Sequence, residues 1–340
     1  MRDIVGTTLC GCPDPGGHTG PPLRFLSMSK CFFHEVPDLS DRVNIGGQAV
    51  LEGVMMRSPR AFTVAVRKGG KLDAEIVVFT QELKPLGERF PILKKKIIRG
   101  SAALFEALWL GIRALNFSAN ESLEEGKDGK KEEIGSLAMA GTMVVALAFS
   151  LGIFLALPLL LTNLLGSYYD TVNKNSLLFN LTDGVLRVGL FLGYVSGISF
   201  MKDIRRVFEY HGAEHKSIAA YESGGEMTVA NARQYSRIHP RCGTSFLIAV
   251  MALSILLFSL IPGTWPLWAK GLSRIVLLPL IAGLGYEFIK YSAKQCGNPL
   301  IKILMLPGLW LQRLTTREPS DDQIEVAIRA LNEALAMEPR

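Results

Sequence analysis

No charged side chain interrupts the stretch Ile134–Tyr169, IGSLAMAGTMVVALAFSLGIFLALPLLLTNLLGSYY. About 20 apolar residues in a helix suffice to cross the hydrocarbon core of a bilayer. This stretch is longer, so it predicts a transmembrane helix and places the chain among integral membrane proteins. A linker rich in charges of both signs, residues 121–133, precedes it.

Further apolar runs follow toward the C-terminus. Leu177–Met201 predicts a second span and Leu267–Ile289 a weaker fourth. The uncharged run Gly243–Ala269 predicts the third, which leaves the membrane near Pro262-Gly263. We therefore expect an α-helical polytopic membrane protein with about four transmembrane helices and a small cytoplasmic α+β portion. The spans would form two pairs, residues 134–201 and 243–290.

Four charged residues within these runs need partners or access to water. Asp183 and Arg187, four residues apart, are expected to form an ion pair near the outer interface, and a buried pair on an ion path is the alternative. Arg274 and Glu287 are expected to reach opposite interfaces. In a second interpretation Glu287 is a remote metal ligand.

The distribution of Lys and Arg predicts the orientation, because cytoplasmic loops of membrane proteins carry an excess of these residues. The segment 202–242 holds seven of them, whereas the short loop 170–176 holds only Lys174. We therefore expect a multi-pass protein with the segment 202–242 and both termini in the cytoplasm.

Composition agrees with a membrane protein, since 49% of residues are hydrophobic and the mean hydropathy is +0.25. The formal net charge of +6 is attributed to cytoplasmic loops. No basic stripe alternates with aromatics, so nucleic-acid binding is not expected. Five cysteines without a paired pattern argue against a disulfide scaffold. Residues 1–40 lack periodicity and include an alternative start at Met28, so we expect a disordered tail or a misassigned start.

Residues 41–120 are expected to form a cytoplasmic β-hairpin unit followed by an amphipathic helix. Ala61–Arg67 alternates, Gly69-Gly70 turns the chain, and Leu72–Thr80 returns. In Ile97–Leu115 the charged residues recur every seven positions and share one stripe. We favour a place in the membrane interface for this helix, although it is long enough to enter the bilayer.

The C-terminal part, residues 300–340, is expected to lie at the cytoplasmic face. Leu300–Gln312 predicts a membrane-surface element broken by Pro307-Gly308. Ser320 and Gln323 resemble a capping box, which predicts the start of an amphipathic soluble helix.

The segment 202–242 contains His211-Gly212-Ala213-Glu214-His215, an H-x-x-E-H order. Residues four apart share one helix face, so His211 and His215 can bind one ion. Glu214 flanks that face, where a general base for a metal-activated water can act. We therefore predict a site for a divalent metal, with Zn²⁺ the first candidate.

A third ligand must come from elsewhere, and His239 and Cys242 are the best source because imidazole and thiolate both bind zinc well. His239 alone leaves an open, catalytic position, whereas His239 together with Cys242 gives a closed, structural site. The sequence leaves both arrangements open. Glu222 shares the stripe of the histidines but lies roughly 10 Å along the helix axis from His215.

Four motifs of the chain are Asn44–Arg57 (NIGGQAVLEGVMMR), Tyr210–Lys216 (YHGAEHK), His239–Phe246 (HPRCGTSF) and Pro307–Pro319 (PGLWLQRLTTREP). Together they resemble the YqhQ family, bacterial membrane proteins of unknown function that are often labelled predicted metal-dependent enzymes. The resemblance covers about residues 44–335 and leaves residues 1–40 outside.

The resemblance implies a location in the bacterial plasma membrane and a metal site with no known substrate. It also brings Gly46-Gly47-Gln48 into the same cytoplasmic site. The site residues that it implies are His211, Glu214, His215, His239 and Cys242, with Glu52 as a further acid and Arg241 as a further candidate.

Three functional hypotheses follow. The first is a zinc-dependent hydrolase that acts on a lipid-like or membrane-bound substrate, with membrane lipid as its partner. The second is a non-enzymatic membrane scaffold or assembly factor that contacts a membrane-protein partner and uses the metal structurally. The third is a small transporter or channel subunit, which with four spans per chain would need to form a homo-oligomer.

Overall fold

The computed structural model describes residues 42–70, 74–84, 88, 90–122, 136–294 and 298–339. The interpretations of residues 1–40 and of most of the charged linker therefore lie outside the described residues.

An antiparallel meander opens the described chain, with its four strands hydrogen-bonded in sequence order. The hairpin predicted around Gly69-Gly70 is confirmed, with Ala61 opposite Glu82 and Arg67 opposite Ile76. Both glycines have positive φ, a conformation that other residues rarely adopt. The strands are β1 (Gly46–Val50), β2 (Gly53–Arg57), β3 (Ala61–Arg67) and β4 (Ile76–Glu82).

The rest of the described chain is mostly helical. Two short 3-10 helices, Lys68–Gly70 and Pro91–Lys94, lie near the sheet, and a π-helical turn, Gly152–Ala156, joins the second and third α-helices. The α-helices are α1 (Ile98–Ser122), α2 (Ser136–Leu151), α3 (Leu157–Tyr168), α4 (Asp170–Lys174), α5 (Ser176–Ile198), α6 (Lys202–Ser223), α7 (Val229–Ala232), α8 (Gly243–Phe258), α9 (Leu267–Lys294), α10 (Pro299–Thr315) and α11 (Asp321–Ala336).

Three helical stretches of the described chain are long and apolar enough to cross a membrane: Ala140–Tyr168, Ser176–Ile198 and Leu267–Ser292. The apolar helix α8 is shorter than these. Its 16 residues rise about 24 Å. The predicted third run is interrupted because the helix ends at Phe258, before the turn that carries Pro262.

Helix α8 nevertheless connects the two ends of the helical bundle. It begins at Cys242, beside the histidines of α6. Beyond its other end, the backbone N–H of Gly263 donates to Ser176 Oγ at 2.6 Å, and Ser176 is the first residue of α5. Helix α8 thus runs between the same two levels as α5.

The predicted ion pair of Asp183 and Arg187 is confirmed, with 2.8 Å between Asp183 Oδ2 and the Arg187 guanidinium. Arg274 also binds Asp183, at 2.7 Å, and is buried, so the expectation that it reaches an interface is wrong. A charge inside an apolar bundle is stabilised by an opposite charge, and Asp183 provides one. Glu287 forms an ion pair with Arg99 of α1.

The charged stripe of α1 faces protein. Arg99 binds Glu287, Glu106 binds Arg57, and Arg113 donates to Gln81 Oε1 at 2.7 Å. Large apolar side chains of the same helix are exposed instead. They are Leu104, Phe105, Leu108 and Trp109.

The C-terminal helices pack on the sheet and on the helices α6 and α8. Helix α10 continues through Pro307, so the predicted break there is wrong. Gly308 packs so closely on α8 that an added Cβ would lie 2.8 Å from Ser245 Cα, and this packing supports the helix at the proline. Helix α11 has the predicted capping box and buries Leu331 against β2, β3 and α6.

Candidate metal centre

Helix α6 carries the H-x-x-E-H motif on its buried part. Gly212 lets the chain that follows α10 approach closely, since an added Cβ would lie 2.1 Å from Arg317 O. The backbone N–H of Arg317 donates to Phe208 O at 2.8 Å and holds this segment on α6. The end of α10 therefore lies directly beside His211.

Three donor groups meet between α6 and the start of α8. The ligand atoms of His211, His215 and Cys242 all lie within 4.8 Å of one another. His211 Nε2 is 3.2 Å from Cys242 Sγ, and the two imidazole centroids are 4.4 Å apart. Cys242 is the N-cap of α8, which fixes its position. The sequence-predicted pair and one of the two proposed additional ligands are therefore brought together.

Backbone carbonyls orient both imidazoles. His211 Nδ1 donates to Thr315 O at 2.8 Å, and His215 Nδ1 donates to Arg237 O at 2.6 Å. A carbonyl oxygen only accepts, so it places a proton on each Nδ1 and directs each Nε2 toward Cys242. Metal-binding histidines are typically held this way through their second nitrogen.

His215 Nε2 is buried and makes no hydrogen bond of ordinary length and angle in the described residues, where the Cys242 thiol is the polar side chain that faces it. A buried polar atom without a partner costs about 1–3 kcal/mol, so such atoms are rare and indicate a missing group. Tetrahedral zinc with usual Zn–N and Zn–S lengths would place the nitrogen and sulfur ligands about 3.5 Å apart. The 3.2 Å between His211 Nε2 and Cys242 Sγ is close to this value, and the other separations are at most 4.8 Å, so small side-chain rotations would bring all three donors to one ion.

The electrostatics of the cluster favour a thiolate. Burial alone would raise the pKa of Cys242, but the neighbouring His215 and His211 hold it well below its usual value. Burial acts to lower the pKa of His211, and Cys242 outweighs it, so that the pKa of His211 rises to about 9. Burial lowers the pKa of His215. The Cys242 thiolate and the neutral His215 are therefore in the forms that zinc binds, whereas His211 would release a proton when an ion binds.

Glu214 lies against this cluster. Burial raises the pKa of its carboxyl to about 7, while His211 opposes the rise. The backbone N–H of Gly47 in β1 donates to the Glu214 carboxylate. An added Cβ at Gly47 would lie 2.9 Å from Glu214 Cδ, so only glycine fits there. The first sequence motif thus reaches the site through Gly47.

His239 is not among the three clustered donors, because its ring nitrogens are already engaged. The backbone N–H of Arg241 donates to His239 Nδ1 at 3.3 Å, so the ring proton lies on Nε2, which donates to Glu222 Oε2 at 3.3 Å. The centroid of the His239 ring is 5.8 Å from that of His215. Gln312 holds the His239 backbone through bonds of 2.8 and 2.9 Å. His239 therefore packs beside His215 without offering a free ring nitrogen to the three donors.

The remaining candidate residues lie around or away from the cluster. Glu222 binds Arg241, whose guanidinium also donates to Asn44 Oδ1 at 2.9 Å. Glu52 forms an ion pair with Arg206 and lines a cavity of about 220 Å³ with Gly70. Glu287 is bound to Arg99 and is absent from the donor group.

The sequence reasoning missed the groups that orient the ligands. The carbonyls of Thr315 and Arg237 carry no side-chain signal, because any residue supplies the same carbonyl. Gln312 lies in the fourth quoted motif, which was the one available hint to its role.

The chain is similar to a family model and to a known bacterial protein. A family model described as "Protein of unknown function (DUF1385)" matches residues 96–337. "Uncharacterized protein YqhQ" of Bacillus subtilis (strain 168) is 35% identical over 320 residues, which cover 92% of this chain and 96% of that protein. This coverage is too long to leave all of residues 1–40 outside the match. No solved structure matches the chain.

Proposed function

The chain belongs to the YqhQ family, and from that premise and the geometry of the histidine cluster we propose that it is a zinc-dependent membrane hydrolase. Its ion would be held by His211, His215 and Cys242 at the cytoplasmic face of a bacterial plasma membrane. The observation that supports the proposal best is the meeting of three donor atoms, from His211, His215 and Cys242, within 4.8 Å of one another, with the Nε2 of His215 buried.

Three protein ligands favour catalysis over a purely structural role. Catalytic zinc sites usually have three protein ligands and an open fourth position, whereas structural sites have four. A divalent cation there would act as a Lewis acid toward a water or a substrate carbonyl or phosphoryl oxygen. His239 does not close the fourth position, because its Nε2 is bound to Glu222.

Glu214 is the proposed general base. Its pKa of about 7 suits a group that accepts a proton near neutral pH and returns it to a leaving group. The N–H of Gly47 fixes the carboxylate beside the donors, so the base is positioned before substrate binds.

The surroundings of the site support a membrane-associated substrate. Helix α10 ends at Thr315, whose carbonyl orients His211. One face of the same helix is apolar and exposed, with Leu300, Ile303, Leu304 and Trp310. The exposed apolar face of α1 lies on the same cytoplasmic part of the fold. Such faces are typical of helices that lie in the membrane interface. We propose four spans, with α8 as the fourth, because α8 connects the same two levels as α5.

The test is metal content of detergent-purified protein by mass spectrometry. We expect about one zinc per chain in the wild type and loss of it in His211→Ala, His215→Ala and Cys242→Ser. The control is His239→Gln, which keeps a side-chain amide near Glu222 and should retain the metal. Retention in Cys242→Ser with loss in His239→Gln would contradict the proposed ligand set.

The open position has its own test. Cobalt-substituted protein should change its visible spectrum when a small hydroxamate is added, because a bidentate chelator can occupy free coordination positions. An unchanged spectrum would favour the scaffold alternative, in which the metal is structural. Glu214→Gln should bind metal and hydroxamate normally. It should lose hydrolytic activity when it is assayed with an identified substrate.

A second candidate function is a cysteine-nucleophile enzyme. The 3.2 Å contact of His211 Nε2 with Cys242 Sγ and the lowered pKa of Cys242 favour it. Rapid alkylation of Cys242 by iodoacetamide in protein shown to be fully zinc-loaded would support this candidate over the metal site. Protection of Cys242 by zinc would support the proposed hydrolase.

A further inference from the structure

A second cluster of charged residues lies far from the histidines. Asp183 of α5 bridges two guanidinium groups, that of Arg187 at 2.8 Å and that of Arg274 of α9 at 2.7 Å. Both guanidinium groups also lie over the ring of Phe258, at 5.1 and 5.2 Å. Phe258 is the last residue of α8 and Cys242 precedes its first, so the two clusters are about 24 Å apart along that helix.

Lys270 adds a third positive charge to this cluster. It precedes Arg274 by four residues, so the two side chains share one face of α9. Its Nζ lies 3.8 Å from the ring centroid of Phe179, and the residue is only 5% exposed. In the part of the chain that the structure describes, no carboxylate pairs with Lys270.

The cluster is not neutral. Three cations and one carboxylate leave two positive charges in excess, all on buried residues. The Nε atoms of Arg187 and Arg274 are buried and lack hydrogen-bond partners in the described residues. A cation–π contact with phenylalanine returns much less free energy than burying an unpaired charge costs. The described protein groups therefore do not neutralise the cluster by themselves.

We propose that Arg187, Lys270 and Arg274 form a binding site for a phosphate-type anion in the half of the bundle opposite the candidate metal centre. Asp183 holds the two arginines in place, and Asn180 Oδ1 accepts from Arg274 at 3.3 Å. The unpartnered Nε–H groups of the two arginines and Lys270 Nζ bind the anion. A phosphate group accepts several charge-assisted hydrogen bonds at once, which suits this donor set. The anion can be the headgroup of an anionic lipid or free phosphate.

The experiment measures thermal unfolding of the full chain in detergent. Phosphatidylglycerol, phosphatidylcholine and inorganic phosphate are added separately. Lys270→Gln is the test variant, because Lys270 pairs with no described carboxylate and its loss leaves the Asp183 bridge intact. Lys174→Gln is the matched control, because Lys174 is exposed just before α5 and, among the described residues, its ion pair is with Asp170.

We expect phosphatidylglycerol or phosphate to stabilise the wild type and Lys174→Gln, and phosphatidylcholine to have no effect. In Lys270→Gln the anion concentration needed for the same stabilisation should rise roughly tenfold or more, because a charge-assisted bond is lost. Stabilisation by phosphatidylglycerol alone identifies a lipid headgroup, and stabilisation by phosphate as well identifies a soluble anion. Equal responses of Lys270→Gln and the wild type, or no response to either anion, would overturn the proposal.

Discussion

The position of the buried Glu214 carboxylate requires a glycine at residue 47, because a Cβ there would collide with it. Gly47 lies so close that a Cβ would meet Glu214 Cδ at 2.9 Å and Met55 O at 2.8 Å. Its N–H is also the backbone donor to the Glu214 carboxylate. Strand β1 thereby positions the proposed base, and the neighbouring Gly46 offers a direct comparison because nothing lies within 4 Å of its added Cβ.

Gly47→Ala should destabilise the protein by about 1–3 kcal/mol, since overpacking displaces either the Glu214 side chain or β2. Gly46→Ala should change stability by less than about 0.5 kcal/mol, as expected for an unobstructed surface position. Thermal unfolding of the two variants side by side measures the difference. Equal melting temperatures would mean that the close approach of Gly47 to Glu214 is absent.

For single residues, the sequence predicted that His211 and His215 lie together, but not which residue is the third metal ligand. The spacing of His211 and His215 predicted that they share a face, because the helix repeat alone places them there. Both predicted ligand sets included His239, either alone or with Cys242, whereas the structure joins Cys242 without His239. Glu222 and Gln312 bind His239 from other parts of the chain. No local pattern encodes such a contact.

Between elements, the contact of α6 with the chain after α10 orients His211. Gly212 is in contact with the backbone at Arg317, and Thr315 O accepts the proton of His211 Nδ1. A side chain at position 212 would therefore move the group that holds the ligand, without touching the ligand itself.

Gly212→Ala should weaken zinc affinity by about 10–100-fold, the usual effect of losing the partner that orients a metal-binding histidine. Gly243→Ala is the control, because position 243 is next to Cys242 and its added Cβ has nothing within 4 Å. Competition with a fluorescent zinc chelator measures both affinities. An unchanged affinity in Gly212→Ala would show that this contact does not position His211.

Element boundaries followed from sequence where a local signal was strong. The capping box predicted the start of α11, and the paired glycines predicted the β3–β4 turn. The seven-residue spacing in α1 predicted one charged stripe, but periodicity does not say whether a stripe faces water or protein. Here it faces protein, because Arg57, Gln81 and Glu287 are its partners.

For the whole molecule, long apolar runs predicted a helical membrane protein, since length and lack of charge are direct properties of sequence. Three helices in the described chain meet the length and hydropathy of a span. The number of spans depends on α8, which ends at Phe258, a few residues before the predicted exit at Pro262-Gly263. In the buried cluster around Asp183, the pair with Arg187 was predicted from their spacing. The bond to Arg274 was not, because Arg274 lies on a helix more than 80 residues away.

The proposed topology predicts which side of the membrane each region occupies. In a background without native cysteines, Lys174→Cys should react with a membrane-impermeant maleimide in intact cells, because the loop 170–176 is outside. Glu333→Cys on α11 should react only after lysis. Labelling of both positions in intact cells would contradict the three spans, α5, α8 and α9, that the proposal places between them.

The coordination of zinc in purified wild-type protein tests the central proposal, and X-ray absorption at the zinc edge measures it. The account predicts one sulfur at about 2.3 Å and imidazole nitrogens at about 2.0–2.1 Å from the ion, with the sulfur lost in Cys242→Ser. Protein that retains no zinc, or a zinc shell without sulfur, would contradict the joint role of His211, His215 and Cys242.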